Sequence, residues 1–285
     1  MSSPRSIALF THATVEDTAD GVAALLVAAK AAGVEVRVPP TEAEKHGIEE
    51  RSGVVVGEEP SGDTDVAVVL GGDGTILTTL RTSGVREIPV FAINYGAIGF
   101  LSTVDHGELE EGIARVLSGD FETLPLPALE VQVDGGPRLA VNDVSFHRRA
   151  DERVAELAYS VEGEELGCVR CDGLVASTPV GSTGYNLANG GPVLAWKVEG
   201  FVVSFIAPHT LTARALVVDT DTLLEVENRS RRYPVDVSTD GRNVATLGPG
   251  GCAGVRFCHD RVLIAQLPGT SFYHRLREKF GRLAY

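Results

Sequence analysis

Lysine is scarce in this sequence: four residues in a chain of 285, beside twenty-one arginines. Basic residues are outnumbered by acidic ones, 25 against 39, leaving a formal charge of −14. That balance excludes a general nucleic-acid or anionic-membrane surface but leaves room for a local basic pocket. Long apolar runs are also missing. The longest, residues 22–29, falls far short of the ~20 residues of a membrane-spanning helix. The opening MSSPRSIALF reads as a first strand rather than the apolar stretch of a secretory signal. The expectation is a cytoplasmic protein with neither membrane nor nucleic acid as partner. Cysteine is limited to Cys168, Cys171, Cys252 and Cys258. The first two form a C-x-x-C, but strand residues three apart face opposite sides, so buried thiols explain them better than a zinc or redox site. No repeat or low-complexity tract is visible.

A hydrophobic content of 44% is enough for one large domain or two medium ones. The first half alternates. Strands are expected at 7–10, 34–38, 66–70 and 88–93, with helices at 15–32, 75–81 and 105–117 and loops with a short helix across 39–64. Alternation of this kind argues for a parallel sheet covered by helices. Near Pro125 and Pro127 the texture changes to short β-type runs (LEVQV, RLAVNDVSF, AELAYSV, FVVSFIA, ALVVD, LLEVEN, VDVSTDG, VLIAQL) punctuated by turn residues. A terminal helix is expected over SFYHRLREKFG. The fold class is therefore α/β: an N-terminal parallel-sheet α/β domain plus a β-rich C-terminal domain.

Four stretches carry chemistry. Gly71-Gly72-Asp73-Gly74-Thr75 stands between a buried strand and a helix, where backbone N–H groups and the helix N-terminus favour phosphate. It is neither a P-loop nor a dinucleotide fingerprint, since the required lysine and the third glycine are missing. An aspartate in a tight turn or at a helix N-cap fits the pentapeptide equally well. Asn94 opens a second glycine loop, NYGAIGFL, at the next strand end, where it can line the same crevice or simply turn. Asn142 and Asp143 interrupt an apolar strand, as a pair reading amide and hydroxyl groups or as a bulge. The stretch from Asp172 through Thr183, Gly184 and Tyr185 to Pro192 offers hydroxyls, small residues and one aromatic face in one loop, which suits a nucleotide. Asp240-Gly241 reads as a turn.

In order and kind, GGDGT, NYGAIGFL, NDV, DGLVASTPVGSTGYNLANGGP and DG resemble the NAD kinase family, ATP- or polyphosphate-dependent, over nearly the whole chain. GGDGT alone is shared with lipid kinases; TPVGSTGY with the upstream NDV discriminates. The resemblance implies a division into residues 1–122 with 267–285, carrying GGDGT, and 123–266, binding NAD, with the terminal helix returning to the first domain. It implies Asp73 as general base toward the 2′-hydroxyl of the adenosine ribose of NAD, with Mg²⁺ or another divalent cation. It assigns Gly71, Gly72, Gly74 and Thr75 to the phosphates of ATP, Asn142 and Asp143 to the dinucleotide, Asp172 to its nicotinamide end, and Thr183 and Tyr185 to the NAD pocket. A homodimer or homotetramer is implied too. The chain departs from the family at Asp143, where most members have Glu, at Gly184, often Ala, and at Ala188, often Ser; the lost Ser hydroxyl bears on the choice between NAD and NADH. Two rivals remain: a lipid kinase, which the polar 177–189 loop disfavours, and a non-catalytic nucleotide-binding protein, which the presence of Asp73 disfavours.

Overall fold

The computed structural model describes residues 2–57, 63–84, 87–97 and 99–281, so Ile98 of the second glycine loop lies outside the described residues. The chain divides into two compact units, Met1–Pro125 with Arg261–Tyr285, and Leu126–Asp260.

Unit 1 begins as a strand–helix alternation: β1 (Ser6–Thr11), α1 (Ala19–Ala32), β2 (Glu35–Val38), α2 (Pro40–His46), β3 (Val54–Val56), β4 (Val66–Gly71), α3 (Asp73–Gly84), β5 (Val90–Asn94), β6 (Val104–Asp105) and α4 (Leu109–Ser118). The strands pair in parallel in the order β3-β2-β1-β4-β5, with β6 beside β5. Every residue of β4 and β5 is buried, as expected of strands covered on both faces. Helix α1 buries Val22, Leu25 and Ala29 on one face and stops at Gly33, whose φ of 69° is the left-handed conformation that ends helices. It starts four residues later than the sequence suggests, because Thr18 N–H bonds to Val15 O and closes a turn first. Helix α3 is longer than expected at both ends.

Unit 2 is β-rich, reached through β7 (Glu122–Val133) and followed by β8 (Gly136–Ala140), β9 (Asp143–Arg148), β10 (Ala155–Val161), β11 (Glu164–Cys171), β12 (Gly173–Ser177), the one-turn α5 (Tyr185–Ala188), β13 (Phe201–Ile206), β14 (Leu216–Val218), β15 (Leu223–Asn228), β16 (Val235–Thr239), β17 (Arg242–Leu247) and β18 (Cys252–Gln266). One antiparallel sheet runs β14-β13-β12-β9-β16-β17; the run β11-β10-β15-β18 is a second. Leu129, Phe146, Leu157, Leu174, Phe201, Val226 and Val255, drawn from both, share one apolar core. The last residues of β18 return to unit 1, where Ile264 pairs in parallel with Val90, and the terminal helix α6 (Phe272–Phe280) follows.

Three expectations need correction. RLAVNDVSF is two strands: β8 pairs with β7, whereas β9 pairs with β12 and β16, so the chain changes partners at Val141-Asn142. The start of the Asp172–Pro192 stretch is not loop, for Gly173–Ser177 is a fully buried strand. Strand β17 lies outside the expected runs, being polar and largely exposed, whereas the strand expected around Cys168 is β11.

Candidate active site

In unit 1 the strand order turns back at β1, with β2 and β3 on one side and β4 and β5 on the other. The carboxyl ends of strands flanking such a reversal form the crevice in which open α/β sheets bind ligands. GGDGT occupies that place: β4 ends at Gly71, Gly72 links, and α3 begins at Asp73. A carboxylate in the first helical turn is favoured by the helix dipole.

The side chain of Asp73 does not hang free. Its two oxygens accept the N–H groups of Phe100 and Leu101, each at 3.1 Å. The glycine loop after β5 is thus tied to the loop after β4. Backbone contact reinforces the tie, since a Cβ on Gly96 would lie 2.8 Å from Gly72 Cα. Asn94, at the end of β5, holds the second loop from beneath: its Oδ1 accepts Gly96 N–H at 2.9 Å and its amide donates to Asp105 at 3.1 Å. From α6 the buried Arg275 donates to the carbonyls of Phe100 (3.3 Å) and Ser102. Burial pulls its guanidinium down to about 10, against the opposing pull of Glu278, Asp73 and Asp105.

Within GGDGT the residues differ in what they leave available. Thr75 N–H bonds to Gly72 O at 3.0 Å, and its side chain fills the space where Gly71 would carry a Cβ. The remaining donors are N–H groups of the first turn of α3, which have no partner inside the helix. Gly74 is exposed, and an added Cβ would meet nothing within 4 Å. Glycine inside a helix costs about 1 kcal/mol relative to Ala, so the fold itself gives no reason for it there.

In unit 2 the turn into β9 is clamped by Asp240, whose carboxylate accepts three successive N–H groups, from Val141 (3.0 Å), Asn142 (2.7 Å) and Asp143 (3.2 Å). On the other side Thr178 takes Val141 O through its hydroxyl at 2.7 Å and Asn142 O through its N–H at 2.9 Å. Gly181 lies so close to the Asn142 backbone that no side chain fits between them. The turn is rigid, yet its side chains are unused. Asn142 Oδ1 is buried with no hydrogen-bond partner among the described residues. Asp143 is 7% exposed, and burial, with Asp240 nearby, pushes its carboxyl up to about 7.

Strand β9 sends Val144 and Phe146 into the core, so Asp143 and His147 share the opposite face. Tyr185 of α5 stacks on His147 there, centroids 5.5 Å apart and planes 14° from parallel. Burial lowers the His147 imidazole and raises the Tyr185 phenol, the latter helped by the charges of Asp143 and Asp172. Asp172, just before β12, accepts Arg148 Nε at 2.5 Å, which holds its carboxyl below the usual range. In the loop after β12, Ser182 and Asn186 are fully buried; Ser182 and the Asn186 amide nitrogen bond within the loop, while Asn186 Oδ1, beside Gly191, has no hydrogen-bond partner among the described residues. Thr183 is partly accessible, and Gly184, Tyr185, Leu187, Ala188 and Gly190 are exposed. So Gly71, Gly72, Asp73, Gly74, Thr75 and Asn94 gather in unit 1, and Asn142, Asp143, Asp172, Thr183, Gly184 and Tyr185 gather in unit 2.

The model of the ATP-NAD kinase N-terminal domain matches residues 12–121, and that of the C-terminal domain matches residues 141–267. An NAD kinase of Gemmatimonas aurantiaca is 38% identical over 235 residues, 79% of this chain and 81% of that protein. The chain belongs to the NAD kinase family. As a member it is an enzyme, a phosphotransferase of the NAD kinase type. An NAD kinase of Paraburkholderia phymatum is 32% identical over 96% of this chain and 93% of its own length. Among solved structures, yeast NADH kinase complexed with NADH superposes with a TM-score of 0.85 at 25% identity, covering 100% of this chain and 91% of that one. An NAD kinase from Archaeoglobus fulgidus in complex with ATP gives 0.73 at 25% identity, with 97% of each chain covered. The two-domain α/β architecture, parallel sheet first and β-rich part second, is that of these kinases.

Sequence reasoning missed the residues that hold the family motifs in place. Arg148 on Asp172, His147 under Tyr185 and Arg275 on the Phe100–Ser102 segment carry no local signal. Asp240 did carry one, DG after a strand, and its turn conformation is real, with φ at 45°. What the sequence could not show is that its carboxylate organises Asn142 and Asp143, about a hundred residues upstream.

Proposed function

We propose that this kinase transfers the terminal phosphoryl group of ATP to the 2′-hydroxyl of the adenosine ribose of NAD, giving NADP, with Asp73 as general base. The observation that carries the reading is the pair Asn142 Oδ1 and Asp143: two buried acceptors on a rigid turn, without donors of their own. Buried polar groups are normally satisfied, so a ligand supplying N–H or O–H groups is the natural complement. A dinucleotide has both, in its base edges and ribose hydroxyls. The Tyr185 face, 37% exposed, supports stacking of a ring system beside that pair. Asp172 would meet the nicotinamide end, and Thr183 and Gly184 the wall of the pocket.

For the donor, the N–H groups at the start of α3 and the open space over Gly74 support close approach of phosphate. Thr75 would contribute its hydroxyl, Gly71 and Gly72 the shape of the loop, and Asn94 the fixed position of the loop opposite. Asp73 spends one lone pair of each oxygen on Phe100 and Leu101, and a carboxylate oxygen has a second. It can therefore accept the ribose proton while its orientation stays fixed, a contribution of about 10²–10⁴-fold for a base of this kind. A divalent cation such as Mg²⁺ fits as a companion of the donor phosphates. Mg²⁺ is usually held by phosphates, water and one or two carboxylates rather than by a protein cage, and no three metal-ligating side chains cluster among the described residues. Bound there, it would neutralise charge developing on the phosphoryl oxygens. Inorganic polyphosphate is the alternative donor. A division of labour at residues 1–122 with 267–285 and 123–266, a cytoplasmic location and a homodimeric or homotetrameric state complete the proposal.

The test is NADP formation from NAD, ATP and Mg²⁺, followed with an NADP-specific dehydrogenase. Polyphosphate and NADH serve as substitutes, and Asp73→Asn runs in parallel. Turnover that falls at least a hundredfold in Asp73→Asn, with NAD affinity by calorimetry unchanged, supports the base. A variant with near-normal turnover would sink that role, and no NADP or NADPH under any combination would sink the reaction.

A further inference from the structure

An electropositive cavity stands out on this acidic chain. It lies wholly within unit 2, is lined by no residue of β9 or α5, and has a volume of about 360 Å³. Arg153, Arg170, Arg231, Arg232, Tyr233 and Glu156 line it. Four guanidiniums and one carboxylate meet there, in a protein whose formal charge is −14. Only Arg170 has a carboxylate at ion-pair distance among the described residues, Glu156 at 3.6 Å, and that pair is too exposed to contribute much.

The wall that presents two of these arginines is built, not loose. Asn228 is fully buried, and its amide donates to Tyr233 O at 2.9 Å and Leu247 O at 3.0 Å, closing the 228–233 turn from inside. Ser230 N–H bonds to Asn228 Oδ1 at 3.0 Å, and Ser230 Oγ accepts Glu156 N–H at 3.0 Å, joining the turn to β10. Arg229, the neighbour that faces elsewhere, is tied to Glu165 and Glu227. The turn therefore sorts its arginines: Arg229 is neutralised, and Arg231 and Arg232 line the cavity.

Guanidiniums of like charge repel, and a concave surface concentrates their field. An arrangement of this kind is relieved by an anion with several oxygens, for which the planar fork of Arg is well matched. We propose that this cavity binds a multi-phosphate anion, an oligophosphate chain either free or carried by a nucleotide, at a site separate from the one that performs phosphoryl transfer. Tyr233 in the same wall offers a ring face that a nucleotide base could use and a bare oligophosphate could not. The inference does not depend on the role of Asp73.

Calorimetric titration of the full chain with inorganic tripolyphosphate, and separately with ATP, tests it on three proteins: wild type, Arg231→Gln/Arg232→Gln, and Glu156→Gln. Because ATP also has a place at the kinase site, the readout is the difference between proteins. The double variant should lose a binding step present in wild type, or weaken it at least tenfold, with NAD kinase turnover at saturating substrates unchanged. Glu156→Gln, which removes the one carboxylate in the cavity, should tighten the same step several-fold. Its effect runs opposite to that of damage, which guards against misfolding as the explanation. A step seen with ATP but not tripolyphosphate names a nucleotide as the ligand; a step with both names the phosphate chain. Identical titrations for all three proteins would overturn the proposal, as would a step that equimolar sulfate abolishes, which would mark an unselective anion site.

Discussion

Asp143 sets the need for function against the need for stability. Its carboxyl is 7% exposed, has no side-chain hydrogen bond among the described residues, and is raised from the ordinary 3.8 to about 7 by burial and by Asp240. In the unfolded chain the same group titrates near its ordinary value. Between pH 4 and pH 7 the folded state therefore retains a proton that the unfolded state has released. Stability falls as pH rises through that window, and the full penalty is present above pH 7. The gap of about three pH units corresponds to about 4 kcal/mol, an order-of-magnitude figure, at 1.36 kcal/mol per unit. Asp143→Asn keeps the shape and removes the charge. The variant should be more stable than wild type by up to about 4 kcal/mol at pH 8, by about 1–2 kcal/mol at pH 5, and hardly at all at pH 4. The chain has one tryptophan, Trp196, buried in unit 2, so its fluorescence during urea unfolding follows the unit that matters. On the dinucleotide role proposed for Asp143, the same variant should bind NAD more weakly, because one of two acceptor oxygens becomes an NH2 donor. A stability difference that does not change between pH 5 and pH 8, or that favours wild type at pH 8, would refute the account.

Two glycines in unit 1 should respond in opposite ways. Gly96→Ala drives a Cβ to 2.8 Å from the backbone of Gly72, so it should cost about 1–3 kcal/mol and lower the melting temperature together with turnover. Gly74→Ala meets no protein atom, so the melting temperature should hold or rise while the KM for ATP increases; an unchanged KM would remove the phosphate from that position. Arg275→Met should lower kcat with little change in the KM for NAD and destabilise unit 1 by about 1–3 kcal/mol, since charge-assisted hydrogen bonds are lost while a buried cation is relieved. Arg275→Lys restores the charge but not the fork, and should recover stability better than kcat; equal recovery of both would mean that the charge alone suffices.

Much of unit 1 was legible because its signals are local. The buried run 66–71 is apolar throughout, and the switch from strand to glycine loop to helix is written in consecutive residues. The glycine loops and the NDV segment could be recognised as unusual for the same reason. What could not be read depends on distant partners. Val141–Asp143 leaves the strand pattern because Asp240, far along the chain, takes its N–H groups. Strand β17 buries only Leu247, so its place comes from pairing with β16 rather than from apolar alternation. Arg275 sits in a helix that reads as charged surface, yet it is among the most buried polar residues of unit 1. The spacing of its neighbours gives no hint that a carbonyl at position 100 awaits it.

The peptide unit joining Phe100 to Leu101 gives that arrangement a further meaning. Its carbonyl receives the guanidinium of Arg275, and its N–H is given to the carboxylate of Asp73. One neutral group thus stands between a cation and an anion, polarised by both, much as a bridging water separates two ions in solution. Here the guanidinium meets the peptide and not the carboxylate, so what reaches Asp73 is a fixed N–H direction, held from the far side by α6. The C-terminal helix α6 thus reaches GGDGT through a backbone link rather than through a side chain in the crevice.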